Sequence, residues 1–488
     1  MFKKKKILKK NTNINVSNLI KIQKGFISAQ NKTNTLTTIL GTISVIIIIF
    51  IGLGFLKQIS NTKFDLSSIF SFSGFNLNFN EIKNTSIKKT QDGKTNILII
   101  GRGGKENDAP NLTDSIIIAS INYNKKIVSM FSIPRDLYVD YPTGGKGRIN
   151  ETYSRGLIKS KKEVDGIDNL KEVVEKITGE KIQYYVNLDF EGFRKIIDTI
   201  GGIDINIPEA IIDTTYPGPN DTYETFKIST GPQTLNGKTA LKYARSRHTT
   251  SDFDRSLRQQ LIVKAIREKI LSLGILTSPS KIKSLYGIIK KYIISDLTTA
   301  QIINLALYLK ELPKENIVSS NLNDSCFYGS ATCEKGGFLV VPPRENFGGA
   351  AVLLQDGAGY NTLGDYSSIE RYTNLVFNYP EIFNENLKIN IFNSTKVPGL
   401  ASMIGDNLKK YGFNVPLKNS VGNTSGDKYD KSQILYRTGS LGVKPETINA
   451  LELFIFGGSK VEKLPKYSKD NDVQIEIIIG DDYKLLNF

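Results

Sequence analysis

An α/β chain is predicted, with an N-terminal transmembrane helix, an extracytoplasmic α/β sandwich domain and a second, small α/β domain at the C-terminus. Three observations predict it. Residues 38–56 form one uncharged, largely apolar run. From Thr95 onward, short apolar runs alternate with segments whose apolar residues recur every three or four positions, as strands and helices do in turn. A second alternation of the same kind begins at Leu387. At 488 residues a single core is not expected, and two or three domains are. The expected divisions are a basic cytoplasmic tail (1–37), the transmembrane helix (38–56), a stalk (57–93), a first folded unit (94–325), a connecting segment (326–385) and a second unit (386–488).

The N-terminal region comes first. Residues 38–56 would rise about 28 Å as a helix, enough for a hydrocarbon core. Residues 1–37 hold nine lysines and no acid, so the positive-inside rule puts the N-terminus in the cytoplasm and the bulk of the chain outside. A cleaved signal peptide is the rival reading; the long pre-region and the lack of an Ala-x-Ala site disfavour it. The formal net charge is +16, and removing the tail's nine leaves 16 − 9 = +7 on the remaining residues. The basic balance therefore does not call for nucleic acid as a partner. Residues 57–93, rich in Asn, Ser, Lys and Phe without regular period, read as a stalk.

The first unit opens with three apolar strands, Thr95–Gly101, Ser115–Ile121 and Ile127–Ile133, whose unbroken apolar character predicts cover on both faces. Leu170, Val173, Val174 and Ile177 share one helix face. Tyr184–Leu188 is a strand. Phe190 to Ile200 is a helix stopped by Gly201-Gly202, and Ile203–Ile207 is again a strand. A helix capped by Asp252 or Asp254 follows, with Leu257, Leu261, Ile262, Ala265, Ile266, Ile270 and Leu273 as its apolar positions, and further helices are expected near 281–293, 299–311 and 366–378. The second unit reads as strand (387–394), helix (399–411), strands (413–417 and 433–437), helix (445–454) and strand (473–479).

Cys326 and Cys333 are the only cysteines; outside a membrane they read as a local disulfide in a turn-rich segment, with two free thiols as the alternative. His248 is the only histidine, which excludes a multi-histidine zinc site and leaves a catalytic triad that one residue alone.

The chemistry gathers elsewhere. The third strand runs into Pro134, which cannot continue a central ladder, so Arg135 and Asp136 fall at a strand's carboxyl end, where open α/β sheets bind ligands. Arg245 and Arg247, two apart, point the same way if extended. Arg255 and Gln259, four apart, share a face near a helix N-terminus that favours anions. Arginine's planar fork suits phosphate oxygens, and together these groups read as a site for a doubly charged phosphate. Arg258 alone reads as a solvated surface charge. Asp114 follows the loop Gly101-Arg102-Gly103-Gly104-Lys105-Glu106-Asn107-Asp108 and either holds Mg²⁺ beside bound phosphates or caps a turn. No Gly-Lys-Ser/Thr follows those glycines, so this is not an ATPase phosphate loop.

Taken in order, Asn96–Gly101, Leu112-Thr113-Asp114-Ser115, Ser132-Ile133-Pro134-Arg135-Asp136, Arg148-Ile149-Asn150-Glu151-Thr152-Tyr153, Phe193–Ile203 and Tyr243–Gln260 resemble the LytR-CpsA-Psr family. Its members are membrane-anchored transferases that move glycopolymers from a polyprenyl-pyrophosphate lipid onto peptidoglycan. The second unit resembles the C-terminal domain often attached to them, through Ile391–Ala401 and Tyr411–Val415. The resemblance implies that Arg135, Arg245, Arg247, Arg255 and Gln259 contact the pyrophosphate. It makes Arg135, Asp136, Arg245 and Arg247 the catalytic set, with Asp136 positioning Arg135 or assisting proton removal. It makes Asp114 a Mg²⁺ ligand. It also implies an apolar tunnel for the polyprenyl chain, with Ile196, Ile197, Leu261 and Ile262 as candidate liners and plain core as the alternative for each. The chain departs from the family pattern at Gly103, where an Asp is usual, and at Leu112, where an Arg is usual. Glu106 or Asp108 is the candidate replacement for the missing acid.

Two functions compete. One is a Mg²⁺-dependent phosphotransferase at the outer face of the membrane, acting on a polyprenyl-pyrophosphate-linked glycopolymer and on peptidoglycan. The other is a non-catalytic wall- or lipid-pyrophosphate-binding anchor. A transcriptional regulator is disfavoured, because the folded part is expected outside the membrane and away from DNA.

Overall fold

The computed structural model describes residues 85–105, 107–218, 222–246, 258, 261–262, 265–266, 269, 287, 290–310, 312–313, 316–323, 337–358, 363–416, 420–437, 443–457, 459–465 and 473–484. Among the described residues no helix is long and apolar enough to cross a membrane; the expected span at 38–56 lies outside them, as do Cys326, Cys333 and His248.

A six-stranded mixed sheet organises the first unit. Its strands are β1 (Lys94–Arg102), β2 (Thr113–Asn122), β3 (Ile127–Ile133), β4 (Tyr184–Asp189), β5 (Ile293–Ser295) and β6 (Ile317–Asn321), in the spatial order β5-β4-β1-β2-β3-β6. β1, β2 and β3 form an antiparallel meander; β4 runs parallel to β1, and β6 parallel to β3. The carboxyl ends of β1, β3, β4 and β6 therefore gather at one edge of the sheet, together with the amino ends of β2 and β5. The first three expected strands are present, and Pro134 stops β3 where its missing N–H requires.

Both faces of the sheet are covered, as the apolar runs predict. Leu98, Ile100, Ile116, Ile118, Phe131 and Ile133 point into one core, and Ile97, Ile99, Ile117, Ile121, Val128 and Met130 into the other. The period of two sends neighbours in each strand to opposite sides. Helices α1 (Thr152–Ser160) and α2 (Glu163–Thr178) cover the first face. The α2 stripe Leu170, Val173, Val174 and Ile177 is fully buried there. The second face is covered by α3 (Phe190–Thr199), α4 (Gly237–Arg245) and α5 (Thr299–Lys310), with Ile262, Ala265 and Ile266. Asp189 caps α3 by accepting from the Gly192 N–H at 2.8 Å, and Gly201 and Gly202, both at positive φ, end it. Ile196, Ile197 and Ile262 are wholly buried and Leu261 packs beside them, all in this second core.

Two elements differ from expectation. The helix expected to reach residue 293 gives way at Ile293 to β5, whose Ile293 and Ile294 pair with β4. The strand expected over 413–417 is reduced among its described residues to a single bridge, Asn414 with Lys388, because Phe413 and Val415 are buried by packing instead of pairing. The connecting segment supplies the helix expected near 366–378, α6 (Ser367–Asn378), which lies on β2 and β3. Its Tyr372 and Phe377 meet Phe131 edge-on at 5.7 and 6.3 Å, and the Tyr372 hydroxyl is 2.8 Å from Ser320 Oγ in the interior.

The second unit holds β7 (Ile389–Asn393), α7 (Leu400–Lys410), β8 (Val421–Asn423), β9 (Gln433–Tyr436), α8 (Pro445–Phe456), β10 (Glu462–Pro465) and β11 (Ile475–Ile479). The strands lie in the order β8-β7-β11-β9-β10. The charged edge strand β10 carries no apolar alternation and was not expected from the sequence. An aromatic series joins the units: Phe338 stacks on Tyr372 at 4.8 Å and meets Tyr411 at 5.0 Å, and Tyr411 meets Phe454 at 4.3 Å. Lys410 adds an ion pair with Asp356 at 3.1 Å. Phe338 is 1% exposed, so Phe338→Ala is expected to lower stability by about 3–5 kcal/mol in a denaturant titration. A loss below about 1 kcal/mol would mean that this ring does not bind the units together.

Candidate functional site

The gathered strand ends carry the charged groups. Arg135, one residue past Pro134, donates from Nη1 to Asp114 Oδ1 at 2.5 Å. Its Nε lies 3.5 Å from Asp136 Oδ2, and the other Asp136 oxygen is 3.9 Å from Arg148 Nη1. Arg148 in turn grips Glu151 Oε1 through Nε and Nη2 at 3.1 and 3.0 Å. Glu151 Oε2 accepts from the Tyr141 hydroxyl at 3.0 Å, and Arg155 lies over the Tyr141 ring at 4.2 Å. Burial, reinforced by the Glu151 carboxylate, raises the Tyr141 hydroxyl above its ordinary pKa, so it stays a donor. The result is an alternating run of guanidinium and carboxylate groups along one edge. Each arginine is oriented, and each remains partly open to solvent.

Backbone bonds tie this run to the sheet. The Asn150 N–H donates to the Arg135 carbonyl at 3.2 Å, and the Thr113 hydroxyl donates to the Asn150 carbonyl at 3.2 Å. The turn that carries Arg148 and Glu151 is thereby fastened to both β2 and the Arg135 loop.

Arg245 reaches the same edge from the opposite face. It ends α4, with its guanidinium over the Phe190 ring at 4.7 Å and the Tyr216 ring at 5.6 Å, and Nη1 donates to the Tyr216 hydroxyl at 3.4 Å. Phe190 directly follows the carboxyl end of β4. Stacking on two rings restricts the side chain while leaving donors for a ligand.

The segment around Arg245 is clamped. Ser246 Oγ donates to the buried Asp213 carboxylate at 2.7 Å. Arg258 is 5% exposed, which corrects its reading as a solvated surface charge. Its Nε donates to the Tyr243 carbonyl at 3.1 Å and its Nη2 to the Ser246 carbonyl. The physical reason is the end of α4, where carbonyls lose their helical partners and a cation is favoured.

Of the other expected site residues, Asp108 is exposed in the loop after β1. Arg247, Arg255, Gln259 and Glu106 lie outside the described residues. Among the described residues no group of three His, Cys, Asp or Glu side chains could hold a metal ion. Asp114 nonetheless keeps one carboxylate oxygen beyond its bond to Arg135 and is about a third exposed. At Gly103 an added Cβ would meet the Asn107 side chain at 2.9 Å and the Ala109 carbonyl at 3.0 Å, so the loop has closed over the place where the family pattern has an acid. Asp213 is a functional candidate that the sequence reading did not single out, and the Arg148–Glu151 pair was quoted there only as part of a motif, without a role. The pair was visible as an Arg and a Glu three apart, whereas nothing near Asp213 in the sequence points to Ser246.

Comparison with known proteins follows the same division. Residues 69–336 match the LytR_cpsA_psr family, and residues 386–483 match the LytR cell envelope-related transcriptional attenuator domain. The chain belongs to the LytR-CpsA-Psr family. Relatives include the cell wall biosynthesis protein LcpA of Corynebacterium glutamicum, 24% identical over 446 residues, covering 82% of this chain and 78% of that protein. The regulatory protein MsrR of Staphylococcus aureus is 30% identical over 44% of this chain and 60% of its own length. The polyisoprenyl-teichoic acid–peptidoglycan teichoic acid transferase TagU of Oceanobacillus iheyensis is 31% identical over 39% and 56%. Among solved structures, B. subtilis TagV aligns over 59% of this chain and 98% of its own, at 22% identity and a TM-score of 0.43.

In this LytR-CpsA-Psr chain, the clamp on α4 makes a stability prediction. Arg258→Leu leaves two buried carbonyls unpaired and is expected to cost about 1.5–3 kcal/mol in a denaturant titration. A neutral result would show that Arg258 bears no weight at the end of α4.

Proposed function

We propose that this protein is a membrane-anchored phosphotransferase that moves a glycopolymer from a polyprenyl-pyrophosphate carrier to a hydroxyl of peptidoglycan, forming a phosphodiester. The observation that carries this reading is the edge at which Arg135, braced by Asp114 and Asp136, stands with Arg148 and with Arg245 on its aromatic platform. Phosphoryl transfer asks for positioning and for charge opposite the phosphate oxygens, and fixed guanidinium groups supply both. The names of LcpA and TagU, a cell wall biosynthesis protein and a teichoic acid transferase, support the same class of substrate.

In the reaction, a peptidoglycan hydroxyl attacks the glycosyl-side phosphorus. The new P–O bond forms as the bond to the bridging oxygen breaks, polyprenyl phosphate leaves, and the hydroxyl's proton passes to solvent. Arg135 and Arg245, with Arg247, Arg255 and Gln259 expected beside them, hold the pyrophosphate oxygens. Asp136 contacts two arginines, which favours its orienting role over proton removal. Asp114 fits Mg²⁺, because that ion is commonly held by one or two carboxylates together with substrate phosphates, and Asp114 has an oxygen to give; Asp108 is the second candidate. The ion, when bound, would neutralise phosphate charge. Residues 38–56 would anchor the chain, with the bulk of it at the outer face.

The anchor reading, binding without turnover, has its own support in Gly103, where the loop leaves no room for an acid. The test uses the full chain in detergent, a labelled polyprenyl-pyrophosphate sugar and peptidoglycan, with Mg²⁺ and with EDTA. Transfer is expected to need the ion and to fall at least about 10²-fold in Arg135→Ala. Arg135-dependent lipid binding without transfer would establish the anchor instead.

A further inference from the structure

Behind the Arg135 edge lies a set of buried polar atoms with nothing to bond. Asn187 on β4 is 1% exposed, and neither its Nδ2 nor its Oδ1 has a hydrogen-bond partner. The same holds for the hydroxyl of Tyr153, a fully buried α1 residue, and for Nε of Arg102, the last residue of β1, which is 9% exposed. The three side chains converge. Arg102 lies over the Tyr153 ring at 5.9 Å, and Asn187 pairs in register with Ile100, so it shares the face of Arg102 two residues on. Burial raises the Tyr153 hydroxyl's pKa, against the pull of Arg102 and the neighbouring Asn187 amide. Asn150 Oδ1 and Thr152 Oγ1, in the turn before Tyr153, are buried and unpartnered as well.

Buried polar groups are nearly always paired, and several orphans on three elements are a standing cost. A guanidinium N–H, an amide N–H and a phenol O–H on neighbouring side chains are three donors, and an acceptor-rich anion satisfies all of them. Arg102 has one ionic partner among the described residues, Glu163 at 3.6 Å, and that acid is 45% exposed. So loose a pair is readily exchanged for a better anion. The position also fits. β1 and β3 are separated by one strand, so Arg102 and Arg135 stand about 10 Å apart along the edge. The turn at Asn150 is bonded to Arg135 and Thr113 and forms the wall between them.

We propose that Arg102, Tyr153 and Asn187 form a second anion subsite at this edge, one that takes a phosphate oxygen of the anionic donor. The proposal rests on the transferase reading for the identity of its ligand. Glu163 covers Arg102 when the subsite is empty and is displaced when it fills.

The test titrates the full chain in detergent with inorganic pyrophosphate by calorimetry, for wild type, Arg102→Gln, Tyr153→Phe and Arg135→Ala. Tyr153→Phe keeps the ring that packs against Gly166 and removes only the hydroxyl. If the hydroxyl were only a buried orphan, its loss would raise the thermal midpoint and leave affinity unchanged. The subsite predicts pyrophosphate binding about tenfold weaker in Tyr153→Phe and at least about tenfold weaker in Arg102→Gln, with both variants folded. Unchanged affinity in both would overturn the subsite and assign the space to internal water, while loss in Arg135→Ala alone would leave the transferase reading standing. Wild-type binding that depends on Arg102, in a protein that transfers no sugar, would uphold the subsite and sink the transferase. No pyrophosphate binding by folded wild type would overturn both.

Discussion

Strand direction governs everything at the charged edge. Because β1 and β2 turn back on one another while β4 joins β1 in parallel, four strand ends and two strand starts meet along a single line. Residues far apart in the chain, Arg102, Asp114, Arg135 and Phe190, become neighbours without any loop having to reach. Pro134 fixes where β3 stops and hence where Arg135 begins. Had β2 alone been reversed, Asp114 would sit at the far edge and Arg135 would keep only Asp136.

The two faces of the sheet divide the labour. One face carries the turn with Arg148 and Glu151, and the other delivers Arg245 from α4. Each delivery is stiffened differently. Arg148 is held by ion pairs close to water, which salt screens. Arg245 is held by aromatic rings and a buried serine–aspartate bond, which salt barely touches. Ionic strength therefore loosens one wall of the site before the other.

Much of this could be read in the sequence, and the boundary is physical. The three opening strands, the α2 and α3 stripes, the Gly-Gly stop and Arg135 all follow from local rules of period, cap and proline. What escaped was set by distant partners. Arg258 looks like a surface charge until the carbonyls at the end of α4, fifteen residues earlier, are seen to need donors. β5 looks helical until β4 offers an edge to pair with. Asn187 resembles any polar residue in a strand until its neighbours are known. The expected residues 247, 255 and 259 fall outside the described part of the chain.

The aromatic series at Phe338, Tyr372, Tyr411 and Phe454 has a consequence in time. The sheet's first face is covered partly by α6, and Lys94 at the start of β1 bonds Asn378 across 284 residues. The opening strands, from Lys94, must wait for residues 367–378 before that cover can close. Closing contacts of such separation is slow, and a half-covered sheet meanwhile offers apolar surface to anything nearby. Fusing the two units with aromatic packing thus leaves the sheet's first face uncovered until its late partner arrives, a delay that two independent domains would escape.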